Sequence, residues 1–239
     1  MKKIAAFLLL FLPAMVQASE AVKLDEVEID LSDRDSLQRG AHYYATYCLS
    51  CHSAKHMRYA RIANELGITE ERAKEELLPE GRKFYDSMIT AMNAQDAEKW
   101  FGVKPPDLSL ITRSRGPDWL YSYLRGFYAD PPRALGVNNI VFQDVAMPNV
   151  FWELQGEKNA IFKEVDGQKV LKRFETVRAG SMGDKEFDAL VTDLVNFLVY
   201  VGEPARLERE SMGKYVLLFI LILTVIAYLL KKEYWKNLH

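Results

Sequence analysis

The sequence predicts a mainly α-helical exported domain, interrupted by a small β-hairpin and followed by one transmembrane helix at the C-terminus. Three observations carry this expectation. The 239-residue chain opens on a basic-then-apolar leader and closes near an unbroken apolar run. Between them, apolar residues recur at helical spacing, with one Asp-Gly pair set between two strand-like segments.

The leader comes first. Lys2 and Lys3 precede an apolar stretch from Ile4 to about Val16, and Gln17-Ala18 then gives way to Ser19-Glu20. This is the order of charge, apolar core and small residue found in a secretory signal peptide. About a dozen apolar residues are too few for comfortable spanning, so removal is expected over retention as an anchor. Cleavage after Ala18, or a few residues later after Ala21, makes residues 1–18 the signal peptide and residues 19–213 the exported domain.

The second apolar run, Tyr215 to Leu230, has Lys214 before it and Lys231, Lys232 and Lys236 after it. At about 1.5 Å per residue it covers roughly 24 Å; lysine stems and the aromatic rings of Tyr228, Tyr234 and Trp235 supply the rest of a membrane crossing. A core helix would break so continuous a belt with polar residues. Residues 214–232 are therefore expected to span, and the lysine excess beyond them places residues 233–239 in the cytoplasm.

Charge narrows the class of partner. Without the signal peptide, Lys214 and the tail, 25 basic residues face 32 acidic ones, a net charge of −7. That excludes a nucleic-acid binder and suits a basic protein partner. The roughly 195 residues between the apolar runs are enough for one sizeable core, with no internal repeat or low-complexity tract to divide it.

After the acidic leader Leu24–Asp30, a helix is expected over Ser36–Tyr47, with Leu37, Gly40, Ala41, Tyr44 and Cys48 on its inner face and Asp35 or Ser36 as its cap. Thr69–Leu78 and Gly81–Ala94 read as two polar helices in surface insertions. Pro105-Pro106 and Pro131-Pro132 mark extended loops, with helix around Trp119–Tyr128 between them. Asp166-Gly167, between Ile161–Val165 and Val170–Phe174, favours a hairpin with a type I′ turn. Phe187, Leu190, Val191, Leu194, Leu198 and Val201 form one face of a helix over Asp184–Val201, ended by Gly202 and Pro204.

The chain has two cysteines, and they stand in Cys48-Leu49-Ser50-Cys51-His52. C-x-x-C-H is the attachment pattern of a c-type haem: two thiols at this spacing reach the two vinyl positions of one porphyrin, and the adjacent imidazole reaches the iron. A thioredoxin-like pair belongs at a strand-to-helix turn in a βαβ unit, which the pattern lacks. A zinc site built from Cys48, Cys51, His52 and His56 lacks the usual spacer between ligand pairs. A ligating His52 needs an acceptor for its other ring nitrogen, and the candidate is a backbone carbonyl at Pro105 or Pro106.

The distal iron ligand has more candidates: Met57, Met88, Met92, Met147, Met182, His42 and His56. Met57 and His56 follow the motif too closely to reach the opposite haem face. Met88 and Met92, four apart, read as packing on one helix. Met147, before Pro148, and Met182, between Gly180 and Gly183, remain level on the pattern.

Five stretches together resemble the cytochrome c1 family: SLQRGAHYYATYCLSCHSAKHMRY, PPDLSLITRSRG, VFQDVAMPNV, DLVNFLVYVGEPARLERESMG and the C-terminal apolar run. The similarity covers nearly the whole mature chain. It implies a class I cytochrome c-like core with insertions, one covalent haem c, His52 as proximal ligand and Met147 as distal ligand. It further implies Arg115 at a haem propionate and Pro106 at the haem edge, with no catalytic acid, base or nucleophile. The implied role is a non-catalytic electron-carrier subunit of a quinol–cytochrome c reductase. Its implied partners are cytochrome b, a Rieske iron–sulfur protein, a soluble or tethered cytochrome c acceptor and membrane lipid. The short tail points to a bacterial inner membrane with the haem domain on the periplasmic side. Trp119 stands where mitochondrial members have a tyrosine, so no tyrosine contact to the propionate is carried over.

Overall fold

The computed structural model describes residues 23–165 and 167–236. The expected signal peptide and Asp166 of the hairpin turn lie outside the described residues. Helix α1, Arg34–Tyr43, starts earlier than expected because the Asp33 side chain accepts from Ser36 N at 2.9 Å. It runs into a single π-helical turn, Tyr44–Cys48, closed by Leu49 N donating to Tyr44 O at 3.0 Å. The wider turn replaces the regular helix expected to Tyr47 and delivers Cys48 to the motif.

Strand β1 (Ala54–Arg58) and helix α2 (Tyr59–Leu66) follow, and α3 (Glu70–Glu76) is capped by Thr69, whose hydroxyl accepts from Arg72 N. No helix forms over Gly81–Ala94. Residues 79–86 turn instead, Gly81 takes φ +79°, and β2 (Ser87–Met88) pairs antiparallel with β1. A helix begins only at α4 (Ala94–Phe101), where Asn93 caps Gln95 N. Met88 therefore sits on a strand, and the expected helical pairing with Met92 does not exist. Ala73, Leu77, Phe84 and Met88 are buried in the main core, so this region is not a mere surface insertion.

Two short helices, α5 (Ile111–Ser114) and α6 (Pro117–Arg125), come next. The chain leaves helix at Gly126, earlier than expected, because β3 (Phe127–Ala129) pairs with β4 (Val137–Asn139). After α7 (Trp152–Gln155), the hairpin β5 (Gly156–Val165) and β6 (Gln168–Ala179) is longer than the sequence suggests. Its base is tight: a Cβ on Gly180 would lie 2.0 Å from Leu154 O.

The core forms where α1 crosses α8 (Asp184–Gly202). Gly40 is the contact point, since a Cβ there would lie 2.1 Å from Asp193 O. Beside it, the Arg39 guanidinium grips the Asp193 carboxylate at 2.6 and 3.0 Å. Phe187, Leu190, Val191, Leu194 and Leu198 are buried on α8, each contributing about 1.5–3 kcal/mol of apolar burial. Arg125 of α6 holds Asp188 of α8 at 2.7 Å and Asp25 of the leader at 2.6 Å. The crossing thus fixes the end of α1 that leads into the cysteine motif.

Helix α9, Arg206–Tyr234, is exposed along its length and is long and apolar enough to cross a membrane. At about 1.5 Å per residue it is longer than a hydrocarbon core of roughly 30 Å, so a crossing by its apolar part would leave its charged first turns outside. There Glu203 receives Arg209 at 2.6 Å and Arg113 at 3.1 Å, tying the helix neck to α5.

Candidate functional site

The cysteine motif is closed by its own backbone: Cys51 N and His52 N both donate to Cys48 O, at 3.1 and 2.8 Å. This one turn gathers two free thiols and an imidazole. Tyr44, buried against Phe197, fixes the turn from below by donating its hydroxyl to His52 O at 2.8 Å. Burial, with Cys51 nearby, pushes the Cys48 thiol up to about 12.

The 105–109 loop grips the segment after the motif. Leu108 N donates to Ser53 O at 2.7 Å, Lys55 N to Asp107 Oδ2 at 3.0 Å, and His56 N to Ser109 Oγ at 3.2 Å. The same loop brings Pro106 O to 2.8 Å from His52 Nδ1. Burial lowers the imidazole below its ordinary value, while the Pro106 carbonyl and Asp107 pull it upward. In the neutral ring, Nδ1–H donates to Pro106 and Nε2 keeps a lone pair. A cleft of about 430 Å³ opens beside Cys51, Met92 and Pro106.

Met147 belongs to a second group of residues. Its thioether sulfur, half-buried against the core, accepts from the Tyr123 hydroxyl at 3.4 Å. Tyr123 stacks on Trp119 with centroids 4.9 Å apart and planes 9° apart. Arg115 lies over Trp119 at 5.1 Å and over Phe142 at 6.0 Å, and among the described residues no carboxylate pairs with it. Phe151, four residues past Met147, meets the Tyr47 ring at 5.2 Å, next to Cys48. The segment holding Met147 is thereby packed against the motif helix.

Sequence reasoning missed Tyr123 and Asn139. Asn139 is fully buried; its amide donates to Tyr123 O at 2.7 Å and its carbonyl accepts from Val141 N and Phe142 N. The available signal was the four-residue spacing of Trp119 and Tyr123 on one helix face. The other candidates are placed differently: Met57 and Met88 are buried on β1 and β2, and His42 and His56 are exposed. Met182 lies where the hairpin returns to α8, its backbone N donating to Leu154 O.

These donors suit a covalent haem: two thiols on one turn, an imidazole oriented through Nδ1, a thioether and an uncompensated guanidinium. Among the described residues, no group of three or more His, Cys, Asp or Glu side chains is placed so that it could hold a metal ion on its own. Cys48 ends a helical turn and does not follow a strand, unlike a thioredoxin-like pair.

The chain matches the Cytochrome C1 family over residues 26–238. It is 48% identical to cytochrome c1 of Allochromatium vinosum, over 99% of this chain and 98% of that protein. It is 43% identical to a Nitrosomonas europaea protein named ammonia monooxygenase gamma subunit, over 100% of this chain and 99% of that one. With cytochrome c1 of Rhodospirillum rubrum it shares 27% identity, covering 86% and 82% of the two chains. The chain belongs to the cytochrome c1 family, as a bacterial, membrane-anchored electron-transfer subunit of the cytochrome bc1 complex with a covalent c-type haem.

Proposed function

We propose that this chain relays single electrons from the Rieske iron–sulfur protein to a soluble or tethered cytochrome c, with cytochrome b as its neighbour in the complex. Cys48 and Cys51 supply the thioether bonds, His52 the proximal ligand and Met147 the distal one. Arg115 faces a propionate, and Pro106 lies at the haem edge. The bound haem supplies the one-electron ferric–ferrous couple.

The observation that carries this reading is the 2.8 Å contact between His52 Nδ1 and Pro106 O. It fixes the ring orientation and leaves Nε2 as the ligating atom. With the Met147 thioether as its second protein ligand, the haem iron would have no coordination position left for substrate, which suits a carrier and not a haem sensor or peroxidase. The crossing of α1 and α8, with the motif at the end of α1, supports a class I cytochrome c-like core.

The proposed layout keeps residues 1–18 as signal peptide, 19–213 as periplasmic domain, 214–232 as anchor through the inner-membrane lipid and 233–239 as cytoplasmic tail. The net −7 of the exported part favours a basic acceptor cytochrome, since opposite charge steers encounter. Isolation of the native assembly tests the role. Copurification with cytochrome b and an iron–sulfur protein, and reduction of the haem by quinol, are expected. Recovery with a monooxygenase instead, as the name of the Nitrosomonas relative suggests for that protein, refutes it.

A further inference from the structure

We propose that the Tyr123 hydroxyl is a hydrogen-bond donor that tunes the Met147 thioether as an iron ligand. The inference rests on the reading of Met147 as distal ligand and goes beyond it by naming the residue that sets the ligand's strength.

The geometry is specific. The phenol oxygen lies 3.4 Å from the sulfur. The ring cannot swing away, because Trp119 stacks on it at 4.9 Å and Phe127 meets it at 5.3 Å. Its backbone is held as well: the buried Asn139 amide donates to Tyr123 O, while the Asn139 carbonyl accepts from Val141 N and Phe142 N. One buried side chain thus anchors both the helix that carries the phenol and the segment that leads to Met147. Asn138 extends the brace, accepting from Asp144 N at 3.0 Å and donating to Asp130 at 3.0 Å. Asp144 sits in the left-handed region at φ +60° and pairs with Arg133.

A thioether sulfur has two lone pairs. In the holoprotein one would serve the iron, leaving the other to accept from Tyr123 as it does in the structure. The positive end of the O–H dipole then points at the sulfur and draws density from it. A weaker donor stabilises ferric iron less, and a positive dipole beside the metal favours the ferrous state. Tyr123 therefore acts to raise the reduction potential, with no proton transferred. Trp119 and Arg115 add to the support: the stack holds the phenol, and the Arg115 guanidinium lies over the indole at 5.1 Å.

The test uses the full-length chain in its membrane complex, with Tyr123→Phe, Met147→Leu and the unchanged protein side by side. Phenylalanine keeps the ring between Trp119 and Phe127 and removes only the hydroxyl. In Tyr123→Phe the sulfur-to-iron absorption band is expected to persist but shift, with the ferric-to-ferrous ratio at a given poise rising about threefold. That corresponds to a potential lower by ~30 mV, at 59 mV per tenfold for one electron. An unchanged potential and an unmoved band overturn the inference. Loss of the band in Tyr123→Phe overturns it too, because the phenol is then needed for ligation itself and not for its strength. Met147→Leu separates the two readings: a band that survives there refutes Met147 as the ligand. A band lost there, beside an inert Tyr123→Phe, refutes the hydrogen bond alone.

Discussion

His52 Nδ1 lies 2.8 Å from the carbonyl oxygen of Pro106, a residue 54 positions away. The contact depends on a loop whose own position is fixed by Asp107, which receives Lys55 N at 3.0 Å and Ser109 N at 3.0 Å. One carboxylate therefore ties β1, the strand that follows the haem motif, to the loop that orients the histidine.

Asp107 gives the site an acid limit. Burial pushes its carboxyl up, but hydrogen bonds from Ser109 and Lys55 outweigh this and hold it below the usual carboxylate range. A depressed folded value contributes stability above the unfolded value of about 4, lost as pH falls through the folded value. Asp107→Asn is expected to flatten this acid-side loss. Denaturant midpoints measured from neutral pH down to about pH 3 check it; parallel curves for the two proteins count against the assignment.

Each motif cysteine supplies one thioether, so Cys48→Ser and Cys51→Ser are each expected to weaken haem attachment. The doubly substituted chain is expected to lose haem altogether on denaturing electrophoresis, where only covalently held haem stays with the protein. Haem staining of the band reads the outcome directly.

The crossing of α1 and α8 leaves no room at Gly40, where an added Cβ meets Asp193 O at 2.1 Å and Phe197 Cβ at 2.6 Å. Neither a helix backbone nor a Cβ atom can rotate aside. Gly40→Ala is expected to destabilise the haem domain by about 3 kcal/mol, at the upper end of the overpacking range. A urea midpoint equal to that of the unchanged protein contradicts the close approach.

The elements most legible in the sequence are those whose pattern is local. Phe187, Leu190, Val191, Leu194 and Leu198 mark α8 by their spacing alone, and Thr69 caps α3 as its side-chain chemistry suggests. The helix expected over Gly81–Ala94 fails because Met88 is recruited by Ala54, a pairing set by tertiary contact and not by periodicity. Asn139 is invisible for a related reason. A buried asparagine between Asn138 and Ile140 looks like turn composition until its amide is seen bridging Tyr123 and Phe142. The cysteine turn could be read because its chemistry lies within five residues. The Tyr123–Met147 contact could not, because it joins a helix to a loop across two strands.

Helix α9 offers the one candidate membrane crossing among the described residues. Removing the chain from Lys214 onward is expected to release a soluble domain that keeps its haem, because the apolar belt goes with the deleted segment. Fractionation of cells expressing the truncated chain without partner subunits checks this. A fragment that stays with the membrane points to a second anchor.

Met147 and Met182 differ in what the fold does with them. Met182 stands at the return of the hairpin to α8, where its backbone N bonds to Leu154 O. Met147 precedes Pro148, which biases its backbone towards an extended form, and its sulfur already receives the Tyr123 hydroxyl. Replacing Met147 by Leu is expected to lower the reduction potential, remove the sulfur-to-iron band and open the reduced iron to carbon monoxide. Met182→Leu is expected to leave all three unchanged and to cost less than about 1.5 kcal/mol, as a volume-conserving swap. Carbon monoxide difference spectra at neutral pH separate the two variants in one measurement. If only the Met182 variant binds carbon monoxide, the distal ligand is Met182, and the Tyr123 hydroxyl serves packing near Met147 and has no part in tuning the iron.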